Sequence, residues 1–428
     1  MFGRGTKPAG MRKAAVSCLL IGSMAICLIP QAYGQKKKKD KRKEQETVAP
    51  KPQIDTSKLV WPSPPDVARI RWVSSLEGEP PKAEAPTTSK KKKHSWMDRI
   101  AGVQEEAPKT DVRFRLVQPY GVAVDSKGRI YAADSYVGAI FVFDLNKEVS
   151  QTGGQDLNPV SMIANGKDAR FRGLVGVAVD DNDRLFAVDV LLRTIPVFGP
   201  DHKFETSFGS EVLGQPNCAA IDTENRFLYV TDAAKNNVAV FDADSYKLLR
   251  TIGGPPKKEG DDEPGTFARP TYVAVDHEGN VYVSDTINNR IQIFDADGQF
   301  ISTFGRAGDR PGFFSRPKGV AVDGDGHSWV VDAVQDNVQI YDRSGQLLAF
   351  FGERGPFPGE FILPTGLTID KQNRVIVAEQ HFPGRLQVFR YVTDAEAAAE
   401  KNKEGKCEEK PAAKSGDQAA NSAGEGPR

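Results

Sequence analysis

The segment "VYVSDTINNRIQIFD" (281 to 295) occurs in six imperfect copies along the chain. The others are "IYAADSYVGAIFVFD" (130 to 144), "LFAVDVLLRTIPVFG" (185 to 199), "LYVTDAAKNNVAVFD" (228 to 242), "SWVVDAVQDNVQIYD" (328 to 342) and "VIVAEQHFPGRLQVF" (375 to 389). Each follows a short apolar run that closes on aspartate, such as "GVAVD" (121 to 125) or "GLTID" (366 to 370). The closing residues Asp125, Asp180, Asp222, Asp276, Asp323 and Asp370 are 55, 42, 54, 47 and 47 residues apart. A period in the forties restricts the chain to a propeller or a solenoid.

The strand content of one period decides between them. Each unit reads as strand a ("GVAVD" type), a tight turn ("SKGR", "HEGN", "GDGH", "KQNR"), strand b, a second turn, strand c, and a third turn. Strand d follows in "FETSFG" (204 to 209), "LLRTIG" (248 to 253), "FISTFG" (300 to 305) and "LLAFFG" (347 to 352). Four strands rich in β-branched and aromatic residues, joined by Gly, Asp and Asn turns, make an antiparallel meander, the unit of a propeller blade. The sixth unit ends at "LQVFRYV" without a fourth strand, whereas "ARIRWVSSLEG" (68 to 78) stands unpaired before the first. Pairing the two closes the ring and removes its open edge. The expectation is an all-β, six-bladed propeller whose last blade is completed by an N-terminal strand.

These residues resemble the NHL-repeat β-propellers, whose repeats read roughly PxGVAVDxxGxxYVxDxxNxRIQxFDxxGxxxxxFG. The fourth unit, from Arg269-Pro270 to Gly305, matches nearly throughout, as do the connections "GDEPGTFARP", "GDRPGFFSRP" and "GPFPGEFILP". The likeness covers residues 116 to 392 with the strand at 68 to 78. No copy carries the histidine of the name motif, Cys218 replaces a glycine in unit three, and Glu379 replaces an aspartate in unit six. "YVTD" and "YVSD" also resemble the YWTD propellers, a six-bladed runner-up.

Repetition bears on chemistry. The strand a aspartates and a second set, Asp134, Asp189, Asp232, Asp285, Asp332 and Glu379, could ring a cation, but each also opens a turn whose N–H groups a carboxylate accepts. "DGDGH" (323 to 327) lacks the spacing and closing Glu of a calcium loop. The resemblance brings in zinc-dependent amidating lyases, streptogramin lyases and metal-dependent lactonases; the lyases draw ligands, histidine among them, from loops around one mouth of the ring. His277 and His327 fall in a–b turns and His202 in a c–d turn, leaving His381 alone on the b–c side. One histidine does not build a His-rich zinc site. No GxSxG, HExxH or phosphate-binding glycine loop occurs, and neither catalytic residue, metal nor cofactor is expected.

The face formed by the b–c turns and d–a connections collects arginines and phenylalanines, the composition of an interaction surface. The reading is therefore a protein-binding scaffold that is not an enzyme, with Arg193, Arg290, Arg316 and Arg385 contacting an acidic or polar partner. A metal-dependent lyase or hydrolase at the ring mouth and a structural envelope protein are the other two classes.

The flanks suggest export. Residues 1 to 34 read as a signal peptide: four basic residues, an apolar run from Ala14 to Ile29, and Ala32-Tyr33-Gly34 as the cleavage site. An uncleaved membrane anchor is the alternative. Residues 35 to 66 form a basic arm expected to be disordered, 67 to 78 the closing strand, 79 to 115 a linker with a short amphipathic helix at "SWMDRIAG", and 393 to 428 a disordered tail. Without the signal, 53 basic residues face 57 acidic ones, and residues 35 to 58 hold nine of the former and four of the latter. An acidic body with a basic arm argues against nucleic acid and for loose contact of the arm with an anionic envelope surface. The chain is expected to be a periplasmic or extracellular monomer without a disulfide between Cys218 and Cys407.

Overall fold

Each repeat folds into one four-stranded antiparallel sheet, and six such sheets form a ring. The computed structural model describes residues 55–78, 115–145, 160–166, 170–258, 263–380, 382–393 and 395–399. Blade 4 shows the plan: Pro270–Val275 (a), Val281–Asp285 (b), Arg290–Phe294 (c) and Phe300–Phe304 (d), each paired with the next. The a strands of the six blades are Pro119–Val124, Leu174–Val179, Pro216–Asp222, Pro270–Val275, Pro317–Val322 and Pro364–Ile369. Each packs on the a strand of the next blade, and the sixth returns to the first.

Burial follows this plan. Strand b is buried along its whole length in blades 1, 2, 4 and 5, because blades stack face to face and cover both sides of it. That is why these strands read as continuous apolar runs rather than alternating ones. Only the outermost strands alternate, as Phe204–Phe208 does.

Glycine at the third position of strand a sets how tightly the ring closes. A Cβ at Gly121 would lie 2.7 Å from the Cα of Gly176, and one at Gly319 would lie 2.5 Å from the carbonyl oxygen of Thr365. Adjacent a strands therefore approach closer than any side chain allows. Blades 3 and 4 break the pattern with Cys218 and Tyr272.

The ring closes through Ile70–Leu76, which pairs antiparallel with Arg385–Tyr391 from Ile70↔Tyr391 to Leu76↔Leu386. The indole N–H of Trp72 donates to the Gln387 amide oxygen at 2.9 Å. Residues 55 to 66, expected within the disordered arm, are instead ordered from Asp55 on. Val60–Trp61 adds a fifth strand to blade 6, and Trp61 packs against Phe351 and Phe389 at 5.7 and 5.9 Å. Burying that indole outweighs the polarity of its neighbours.

Two further elements escaped the sequence reading. Val160–Ile163 is the d strand of blade 1. Residues 395–399, inside the expected disordered tail, are helical. Thr393 Oγ1 accepts from the Glu396 N–H and Glu396 accepts from the Thr393 N–H, the reciprocal arrangement of a capping box. The signal, most of the basic arm, the "SWMDRIAG" helix and Cys407 lie outside the described residues.

Candidate functional site

Both carboxylate sets are bound to the turns they open. In strand a, Asp276 Oδ1 accepts from the N–H groups of Glu278 and Asn280 at 2.9 and 2.8 Å, and Asp125, Asp180, Asp323 and Asp370 repeat the pattern. In strand b, Asp134 accepts from Val117 and Gln118 in the d–a connection and from Tyr136 and Val137 in the b–c turn. Asp189, Asp232 and Asp332 do the same in their blades. These bonds also establish that b–c turns and d–a connections share one face, here the b–c face. Burial pushes the carboxyls of Asp134, Asp285 and Glu379 up, against the bonds that favour their charge.

The four arginines singled out from sequence separate into two pairs. Arg290 is buried: its guanidinium pairs with Asp285 at 2.9 Å and donates to the Thr266 carbonyl at 2.9 Å. Arg385 pairs with Glu379 at 2.8 Å and donates to the carbonyls of Pro356 and Glu360. Both fasten a d–a connection to its own blade, so they are corrected from partner contacts to loop anchors. Strand b carries an acid at its end and strand c a cation at its start, which places them side by side. Arg193 and Arg316 are exposed on the b–c face.

A cavity of ≈ 190 Å³ runs between the a strands, lined by alanines, valines, isoleucines and backbone. Its titratable lining groups are Cys218 and Tyr272; burial pushes the thiol up to about 11 and the phenol well above its usual range. Burial thus keeps both groups neutral near neutral pH. Tyr272 reaches across to blade 1, where its ring stacks on Tyr120 and its hydroxyl donates to the Tyr120 carbonyl at 3.4 Å. Lys318 of blade 5 donates to the Tyr120 hydroxyl at 2.8 Å. The sequence reading missed this cluster, although Tyr272 at a glycine position signals it.

Exposed apolar side chains distinguish the two faces. Two residues beyond the strand b acid stand Tyr136 (68% exposed), Leu191 (68%), Ile287 (58%) and Val334 (52%), with Phe382 (69%) in the corresponding turn of blade 6. Phe357 and Leu363 add to them from the last d–a connection. Among the described residues, every exposed large hydrophobic outside the d strands and the closing strand Ile70–Leu76 stands on the b–c face. The a–b and c–d turns of the opposite face are polar and joined by ion pairs such as Arg226–Asp181 and Arg184–Asp244, each at 2.7 Å.

The described residues do not fit the zinc of an amidating lyase. His202, His277 and His327 all lie on the a–b face, and His381 is outside the described residues. Asp323, Asp325 and His327 bring three possible ligand atoms within 4.8 Å of one another. Both Asp323 oxygens already accept, Oδ1 from the Asp325 and His327 N–H groups, Oδ2 from Trp329 Nε1 at 2.8 Å. That cluster is a hydrogen-bonded turn.

Comparison with known proteins identifies the repeat in two of the blades. The NHL repeat model matches residues 116–143 and 267–294, which in each case span strands a to c of one blade. Over 175 residues the chain is 29% identical to a probable peptidyl-alpha-hydroxyglycine alpha-amidating lyase, pgal-1, of Caenorhabditis elegans, covering 39% of this chain and 48% of that one. Protein lin-41 of the same organism is 53% identical over 45 residues, 10% of this chain and 4% of that protein. The chain thus spans about half the length of the first relative and a small part of the second. Among solved structures, a structural genomics protein of unknown function from Bacteroides thetaiotaomicron aligns with a TM-score of 0.49 and 18% identity, over 65% of this chain and 70% of that one. A catalytically inactive virginiamycin B lyase from Staphylococcus aureus aligns with a TM-score of 0.46 and 12% identity, over 64% and 95%. The fold is a six-bladed β-propeller, and two of its blades match the NHL repeat. The lyase match corrects the expectation of a protein that is not an enzyme: relatives of this sequence include a named lyase. The misreading came from equating a ring without a visible histidine set with a ring without chemistry.

Proposed function

We propose that this propeller recognises a protein partner through its b–c face. The observation that carries the reading is the confinement of exposed apolar turn residues to that face, at one repeated turn position. Exposed apolar side chains repeated on one face, with the opposite face polar, form the kind of surface a protein partner covers. The turn acids hold the backbone beneath Tyr136, Leu191 and Val334, so these side chains are presented on a rigid support that loses little entropy on binding. Arg193 and Arg316 stand among them as exposed cations and favour a partner with acidic groups. The test is charge insertion on each face of the full-length chain. Ile287→Glu and Leu191→Glu should abolish capture of the partner, whereas Lys371→Glu on the opposite face should leave it intact; the reverse pattern would refute the reading.

A second reading, favoured by the 29% identity to pgal-1, is that the ring is itself a lyase. Incubation of the full-length chain with a peptidyl-alpha-hydroxyglycine would yield amidated peptide if so, and unchanged substrate if not.

A further inference from the structure

The second residues of the a strands, at their b–c ends, are Tyr120, Val175, Asn217, Thr271, Lys318 and Thr365. Lys318 is the one charged residue among these six. It is half-buried, and its donor bond goes to a neutral phenol, Tyr120, whose ring centroid lies 5.1 Å from the ammonium. Among the described residues Lys318 makes no ion pair with a carboxylate. The nearby strand b acids are fully buried and saturated by the backbone donors of their own turns.

A partly desolvated ammonium without a counter-charge is held at a cost that an anion would relieve. An ammonium carries three donors, and Tyr120 takes one. Tyr272 of the opposite blade packs on the other side of this contact, its ring stacked on Tyr120. Around the mouth stand the apolar residues of the b–c turns, at least one from each of blades 1, 2, 4, 5 and 6. A central cation inside an apolar collar is complementary to one acid flanked by apolar residues.

Resting on the recognition reading above, we infer that the mouth of the ring binds the carboxylate of an Asp or Glu side chain within a partner segment. Lys318 takes the carboxylate, and the collar takes the apolar residues on either side. The segment crosses the mouth, so the acid is internal to its chain and not a terminus.

The probe is a displayed library of random twelve-residue peptides selected on the full-length chain, with the acid of each selected peptide then changed to its amide. Selected peptides should share an Asp or Glu between apolar residues. Acid→amide and Lys318→Met should each weaken binding about ten- to hundredfold, the loss expected for one charge-assisted hydrogen bond, without adding in the double change. Lys318→Arg should retain most of the binding and guards against a folding defect in Lys318→Met. Peptides lost on Ile287→Glu but indifferent to Lys318→Met would overturn the carboxylate assignment and leave the face. Peptides indifferent to both, or none selected, would overturn both.

Discussion

Tyr272 and Tyr120, on opposite blades of the ring, stack across its axis with centroids 5.8 Å apart and planes within 7° of parallel. This contact ties blade 4 to blade 1 across the ring. Tyr272→Ala should cost about 3–5 kcal/mol, as large aromatic truncations in packed interiors do. Tyr272→Phe, which removes one long hydrogen bond, should cost no more than about 1 kcal/mol. Denaturant unfolding of the two variants, at unchanged m-value, distinguishes a packing role from a polar one.

The glycine that lets neighbouring a strands meet is equally exacting. Gly319→Ala would drive a Cβ against the Thr365 carbonyl oxygen, which is backbone and has nowhere to move. Overpacking of this kind costs about 1–3 kcal/mol or more. A thermal unfolding scan should show a clear fall in Tm, whereas Gly324→Ala, with nothing near its Cβ, should stay near wild type.

The two pairs of arginines should respond in opposite ways. Arg290→Ala leaves Asp285 buried without its cation, held only by the Ala268, Asn288 and Gln292 donors, and should destabilise by about 3 kcal/mol. Arg316→Ala removes an exposed side chain and should stay within about 0.5 kcal/mol in stability, while weakening partner capture. Chemical denaturation and a binding titration on the same two variants separate these effects.

Acid should loosen the opposite face. The Arg226 and Arg184 guanidiniums hold the Asp244 carboxyl at about 2, below its usual range. A folded value below the unfolded one means that Asp244 contributes stability above pH ~4 and loses it as the pH falls toward ~2. The Tm difference between wild type and Asp244→Asn should thus be present at pH 7 and vanish over that window. A difference that persists at pH 2 would assign the effect to packing.

Much of the ring was legible because each blade repeats the same physical solution: buried strands b and c read as apolar runs, and turns carry Asp, Asn and Gly. The closing strand was legible from its alternation and from the missing strand in the sixth unit. Val160–Ile163 was not, since "VSMI" sits beyond a long unpatterned stretch, and neither was Val60–Trp61, where one aromatic contact outweighs a polar context. The proposed interaction face was half legible. Sequence located the arginines on the b–c side but could not tell that Arg290 and Arg385 turn inward to the strand b acids. Nor did it weigh single apolar residues in turns, whose meaning appears only when the ring brings Tyr136, Leu191, Ile287 and Val334 around one mouth.

The most direct test of the account is amide hydrogen exchange of the full-length chain with and without its captured partner. Added protection in the b–c turns around Tyr136, Leu191, Ile287 and Val334, with the a–b turns around Lys127, Glu278 and Lys371 unchanged, is the predicted result. Protection confined to the a–b turns or to the outermost strands would contradict it and move the working face elsewhere.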